Sequence, residues 1–284
     1  MTINKILKLI WEEFIYGTHL LALGAGTIVV STSFLLNEKI SWDYPLVIYL
    51  FIYAAYLFNR YKEVEKDLLT NPERTQHLKK YIKYIPTILC CVLLIILGVL
   101  IYSGKIIALL FILFLFFGGL FYTIVFKKIT KKITAFKNFF VALFWTLPVI
   151  FLPIYYSFSY SFSLFLIIIF VYLKTFIVNC YFDAKDVRID KKEGLLTLPI
   201  TLSFKSYLEL LKYLTFLFGL IIILGVYFKY LPIFSLMLLF TIPFNLYIFK
   251  ETQKSIISLS RLYFIASGEF IFWPALLLIG KFLI

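Results

Sequence analysis

The sequence predicts an all-α polytopic membrane protein of about nine transmembrane helices, and three observations carry that prediction. The first is composition: 62% of the 284 residues are hydrophobic and the mean hydropathy is +0.97, where a soluble domain is about half apolar. The second is run length. The apolar residues come in runs of about 20, long enough to cross a bilayer as helices and too long for barrel strands. The third is the placement of charge. Of 28 Lys and Arg, twenty-two fall at the N-terminus and in the loops after the second, fourth, sixth and eighth runs. The other side holds only Lys39, Lys105, Lys229 and Lys281, and Lys174 and Lys212 lie inside runs. The positive-inside rule then puts the N-terminus in the cytoplasm and the C-terminus outside.

The nine spans are expected at roughly 14–36, 44–60, 85–103, 106–126, 138–157, 161–182, 208–229, 231–249 and 262–281. The first follows a short charged stretch and lacks a small-residue cleavage site, so it reads as a membrane helix and not a removed signal. Turn residues separate the later spans: Asn37 to Asp43, Ser103-Gly104, the serines around Tyr160, and Leu231-Pro232. No loop is long enough for a soluble domain, so residues 1–284 form a single transmembrane domain. Two loops on the basic side, 61–84 and 183–207, are long for plain connections, and such connections often carry function. Asn-Pro-Glu-Arg at 71–74 predicts a helix that stops near Asn71 and restarts. Both loops are expected to extend their membrane helices into the cytoplasm and cap a cavity. Cys90, Cys91 and Cys180 fit neither a zinc site nor a disulfide framework, and are expected to pack in the core. The net charge of +13 sits in short loops between spans, which excludes the soluble basic face of a nucleic-acid binder.

The chemistry concentrates in two stretches on the basic side. Asp183, Asp186 and Asp190 close the sixth span three and four residues apart, which on a helix places them within about 60° of one face. Asn59, Glu63 and Asp67 close the second span four residues apart, within about 80° of one face. Like charges on one helical face repel, and carboxylate oxygens suit Mg²⁺ or another hard divalent ion. Two acidic faces at two helix ends are suited to share metal ions and hold an anionic ligand between them. Being at helix ends near water, Asp67 and Asp183 are expected to contribute little to packing. The motifs are four spans apart on one side, which suggests two parallel four-helix repeats plus a ninth helix.

These stretches resemble the UbiA superfamily of intramembrane prenyltransferases. In that family an Asn-x-x-x-Asp-x-x-x-Asp motif ends the second span, and an Asp-x-x-Asp-x-x-x-Asp motif ends the sixth. The second motif is followed there by Gly and then Thr-Leu-Pro, as Gly194, Thr197, Leu198 and Pro199 are here. The resemblance covers nearly the whole chain in length and order. Two departures stand in the first motif: Arg60 where many members have Asp, and Glu63 where they usually have Asp.

The resemblance implies Mg²⁺-dependent transfer of a polyprenyl group from its diphosphate to an acceptor, an aromatic lipoquinone precursor by preference. The implied partners are a polyprenyl diphosphate, an acceptor of unknown identity and membrane lipid. The implied setting is an integral membrane protein, of the inner membrane in a prokaryote, with a cytoplasmic mouth. Asn59, Glu63, Asp67, Asp183, Asp186 and Asp190 become the metal ligands, with Asp67, Asp183 and Asp190 carrying the chemistry. Related enzymes carry basic residues after a Tyr in the loop following the fourth span, then a Lys-Asn-like step; Tyr122, Lys127, Lys128, Lys137 and Asn138 are the matching positions. Lysine binds phosphate through charge-assisted hydrogen bonds. Arg60, Lys62, Arg74 and Arg188 lie near the acidic faces as further phosphate contacts, and Asn59 is a substrate contact as well. Tyr172 and Phe176 lie deeper on the Asp183 face, where aromatic rings would stabilise an allylic cation. Asn179, one turn before Asp183, is a weaker ligand.

Three polar residues lie inside spans. Glu269 is costly at that depth and is a functional candidate by default. His19 suits a hydrogen-bonded core role, or a part in acceptor binding or proton removal. Lys174 lies about 180° from Asp183 on the helical wheel and is expected to pair elsewhere. Two alternatives stay open: a UbiA-type terpene cyclase, and a non-enzymatic transporter of divalent cations or anionic lipids.

Overall fold

The computed structural model describes residues 3–121, 129–254 and 259–283, and among them every regular element is a helix. In chain order these are α1 (Ile3–Tyr16), α2 (His19–Leu36), α3 (Asp43–Lys62), α4 (Val64–Thr70), α5 (Pro72–Lys79) and α6 (Ile85–Tyr102). They continue as α7 (Ile106–Phe121), α8 (Phe136–Tyr156), α9 (Phe162–Glu193), α10 (Leu198–Thr201), α11 (Phe204–Tyr227), α12 (Thr241–Lys254) and α13 (Leu259–Leu283). Helix stands at each of the nine expected positions among the described residues, and six helical segments are long and apolar enough to cross a membrane.

The bundle is built by burying one side of each long helix. α2 packs between α3 and α13, α3 against α6, and α9 between α8 and α11. Val29, Ile48, Leu57, Ile167, Phe170, Phe218 and Trp273 form its interior. The opposite sides stay bare: Leu94, Ile101, Ile106, Leu110 and Tyr213 are all more than 60% exposed. An apolar belt of that kind is a liability in water and the normal condition in lipid.

The first expected span is in fact two helices. α1 ends at Tyr16, and Thr18 takes a left-handed conformation (φ 77°) before α2 begins at His19. Glu13 curls over the break, where a Cβ on residue 17 would stand 2.0 Å from its Oε1; glycine's bare Cα leaves that room. The eighth span begins as a 3₁₀ helix over Ile233–Phe240 and becomes α-helical at Thr241. Pro243 lacks the N–H that an α-helix would bond back to residue 239, so one bond of an α ladder is missing at the changeover. Cys180 is buried as expected, but Cys90 and Cys91 are exposed. They lie on the bare side of α6 with Leu94, so the expectation of core packing holds for one cysteine of three.

The loop after α3 folds as α4 and α5, which meet at Asn71. The sixth span runs on as α9 to Glu193, well past the acidic motif. There Gly194 takes the left-handed conformation (φ 71°), and its N–H and that of Leu195 bond back to the carbonyls of Lys191 and Asp190. This is the usual glycine stop of a helix. Gly194→Ala is expected to lower stability by about 1 kcal/mol, the cost of a Cβ in that conformation, read as a fall in melting temperature in detergent.

Candidate active site

α9 carries the second motif on one inward side. Asp183 is 1% exposed and Asp190 5%, with Asp186 half-buried. Asp183 is fully engaged: Lys137 Nζ lies 2.7 Å from Oδ1, and the Asn138 amide donates to Oδ2 at 2.8 Å. Asp183 is therefore not a solvated helix-end charge, which corrects the expectation that it is idle in packing. Lys137 also lies within electrostatic reach of Asp186 and Asp190, so one ammonium serves three carboxylates.

What brings Lys137 there is the tail after the motif. The reversal at Gly194 lays residues 195–197 back along the loop that precedes α8. The Leu196 N–H bonds to the Thr130 carbonyl at 3.0 Å, and the Leu196 carbonyl accepts from the Ala135 N–H at 2.8 Å. Ala135, left-handed at φ 57°, then starts α8, whose second and third residues are Lys137 and Asn138. The tail is thus the clamp that sets the basic step beside the acidic motif.

The first motif spans a helix junction. α3 ends at Lys62, Glu63 leaves helical geometry (φ −107°), and α4 begins at Val64. The Glu63 N–H still bonds to the Asn59 carbonyl and the Asp67 N–H to that of Glu63, so the three residues stay in one file. Asn59 is exposed, and Glu63 and Asp67 are half-buried. Asp67 accepts from Arg74 at 2.7 Å, and Arg74 lies within electrostatic reach of Asp186. Lys185 of α9 donates to the Asn71 side chain at 3.1 Å. Through α4 and α5 the two motifs therefore meet at one end of the bundle.

The other expected site residues are distributed as follows. Arg60 is 3% exposed and donates to the Tyr16 carbonyl at the end of α1, a helix-capping position. Lys62 lies over the Phe58 ring and Arg188 is exposed. The Tyr172 hydroxyl donates to the Phe139 carbonyl at 3.4 Å, and Phe176 packs on the Phe139 ring. Asn179 donates to the carbonyl of Thr175. Tyr122, Lys127 and Lys128 lie outside the described residues.

Of the intramembrane polar groups, Glu269 and Lys174 pair with each other at 2.6 Å, both fully enclosed. Asn245 of α12 donates to the second Glu269 oxygen at 3.1 Å, and the Lys174 ammonium faces the Phe218 ring. The pairing that the wheel demanded of Lys174 is met, and the deep carboxylate is neutralised. His19 is half-buried, with Nδ1 2.6 Å from the Tyr49 hydroxyl and Nε2 3.5 Å from Glu13.

Sequence reasoning missed the polar cluster around Glu13. His77 Nε2 lies 2.7 Å from Glu13 Oε2, and the Tyr81 hydroxyl donates to Oε1. Burial alone would raise the Glu13 carboxyl, but hydrogen bonds to His19 and His77, with their charge, outweigh it and bring it from 4.5 to about 2. A depressed carboxyl gives stability that is full above about pH 4.5 and is lost as pH falls toward about 2. Glu13→Gln is expected to flatten that part of the profile, measured as melting temperature against pH in detergent; an unchanged acid limb would refute the cluster.

Fit to a divalent ion can be judged from the oxygens. Among the described residues no three His, Cys, Asp or Glu converge closely enough to hold a metal by themselves. Yet Asp186 Oδ1 and Asn138 Oδ1 are buried without a hydrogen-bond partner, and the Asp190 carboxylate has only the neighbouring Thr197 hydroxyl to engage it. A buried acceptor left unmatched is expensive. Mg²⁺ is commonly bound by one or two carboxylates, with water and substrate phosphates completing the shell. The donor set fits that pattern.

Comparisons with known proteins bear on the fold and the family. No curated protein sequence matches the chain. The apo structure of a UbiA homolog from Aeropyrum pernix K1 is similar over 93% of this chain and 97% of that one, with a TM-score of 0.64 at 12% identity. A structure reported for digeranylgeranylglyceryl phosphate synthase is similar over 98% of this chain and 97% of that one, with a TM-score of 0.57 at 18% identity. At such identities the likeness speaks for the fold. The sequence profile of the UbiA prenyltransferase family matches residues 18–279, and the chain therefore belongs to that family.

Proposed function

We propose that the protein transfers a polyprenyl group from its diphosphate to an acceptor inside the membrane, with Mg²⁺ at the two acidic motifs. The observation that carries this reading is the buried Asp186 oxygen without a partner, one turn from Asp190 and beside a lysine already drawn in by Asp183. In this reading the carbon–oxygen bond of the donor breaks and its electron pair leaves with the diphosphate. The acceptor forms the new bond to the allylic carbon and gives up a proton. The bound ion would neutralise the departing diphosphate. Asp183, itself fixed by the Asn138 amide, holds Lys137 Nζ at the motif, where it also donates to the leaving group. Tyr172 and Phe176 border the path of the prenyl chain, where their rings favour the developing cation and exclude water.

An aromatic lipoquinone precursor remains the preferred acceptor. The charge split supports a mouth on the cytoplasmic side. The neutralised Glu269 weakens the transporter alternative, since a transport site needs an accessible deep charge. Donor binding is expected to require the metal. Prenyl diphosphate affinity for the purified protein should fall sharply on adding EDTA and return with Mg²⁺; equal affinity in both conditions would sink the shared metal site. Pyrophosphate release with a hydroxybenzoate acceptor, compared with a glycerol-phosphate lipid, separates the acceptor classes.

A further inference from the structure

We infer that α1 lies in the headgroup boundary of the membrane with its apolar side inward, and that it ties the capping helix α5 to that surface. At about 100° per residue, Ile6, Ile10 and Leu7 fall within about 100° of one another, with Trp11 at their edge. Lys8 follows Trp11 at one border of this strip and Glu13 adjoins Ile6 at the other, while Glu12 and Tyr16 lie opposite, with Leu9, 41% exposed, on their side. Ile6, Leu7, Ile10 and Trp11 are 43%, 58%, 61% and 53% exposed.

The rotation of α1 is fixed by its polar side. The Tyr16 hydroxyl donates to Glu73 at 2.6 Å, Glu13 meets His77 at 2.7 Å, and Glu12 meets Lys80 at 3.6 Å. All three links run to α5 or the residue just after it. Arg60 caps the carbonyl end of α1 from the first-motif helix. With these contacts made, Leu7, Ile10 and Trp11 face away from the cap, and Ile6 borders it.

The occupant is the bilayer. α1 passes into the spanning helix α2 through two residues, Gly17 and Thr18, so it sits at the membrane edge by chain connection alone. Lys8, with a side chain 76% exposed, flanks the apolar strip. An apolar strip bordered by lysine at the basic end of the bundle is complementary to an anionic lipid surface.

The test uses the full chain with its three native cysteines replaced, reconstituted in vesicles of phosphatidylcholine and phosphatidylglycerol. A fluorophore is placed on Ile10→Cys or on Lys8→Cys. The label at position 10 is expected to be quenched severalfold more by a lipid nitroxide near the headgroup than by aqueous iodide, and the label at position 8 the reverse. In the same vesicles Leu7→Asp is expected to speed amide exchange in residues 72–79 severalfold. Quenching of position 10 by iodide, protection of it from both quenchers, or quenching by a labelled second copy would each overturn the lipid contact. An embedded position 10 with exchange in 72–79 unmoved by Leu7→Asp would overturn the tie to α5.

Discussion

Asp183→Asn is expected to lower pyrophosphate release per folded molecule by about a thousandfold while lowering the melting temperature less than Asp183→Ala does. The asparagine oxygen still accepts from the Asn138 amide, but its NH2 group stands where Oδ1 accepted from Lys137, so one of the two hydrogen bonds is lost. What disappears is the charge that holds Lys137 and balances a bound cation. Metal-assisted charge stabilisation is worth several kcal/mol, and each 1.4 kcal/mol is about a factor of ten in rate. Asp183→Ala removes the acceptor as well. It leaves the fully buried Asn138 amide unmatched, at a further cost of about 1–3 kcal/mol in stability. The two variants thus separate the chemical role of the carboxylate from its structural one. Turnover near the parent's in Asp183→Asn would end the proposal that this charge serves the reaction. Loss of turnover in step with melting, in both variants, would make the residue structural.

Lys174→Met is expected to destabilise the protein by about 3–5 kcal/mol, because it leaves the Glu269 carboxylate buried without its cation. The double variant Lys174→Met/Glu269→Gln should recover most of that loss. Glutamine still offers an oxygen to Asn245, and no buried charge remains. Replacement of a whole buried pair by uncharged groups is often neutral or stabilising. The measurement is a double-mutant cycle of melting temperature and denaturant midpoint in one detergent. A single variant as stable as the parent would mean that Glu269 is not held as a charge. A double variant no better than the single would mean that the two side chains do not act as a pair.

Much of the fold was legible because its cause is local. A bilayer asks for about 20 apolar residues, and the runs supply them. Spacing of three and four places Asp183, Asp186 and Asp190 on one side of a helix whatever surrounds it. The stop near Asn71 is written in the Asn-Pro pair. What was hidden depends on partners far along the chain. Hydropathy is smooth through Gly17 and Thr18, and the break there is secured by Arg60, 44 residues away. Lys137 and Asp183 are 46 residues apart, and Glu13 and His77 are 64. No spacing rule reaches that distance. The resemblance pointed to Lys137, but not to its contact with Asp183 or to the burial of that carboxylate. The exposed Cys90 and Cys91 show the complementary blind spot: in lipid an apolar residue is equally at home inside or outside, so hydrophobicity does not assign a side.

The clamp between residues 194–197 and the loop before α8 bears on how this chain can change. Both hydrogen bonds that close it come from the backbone of Leu196, through its N–H and its carbonyl. A peptide group is the same for every residue but proline, so the clamp is indifferent to the side chain at position 196. It is not indifferent to counting. One residue more or less between Gly194 and Thr197 would move the donor and acceptor out of register with Thr130 and Ala135, and would carry Lys137 away from Asp183. Substitution at position 196 and a shift in segment length are thus unequal edits: the first is absorbed, and the second disassembles the site from a distance.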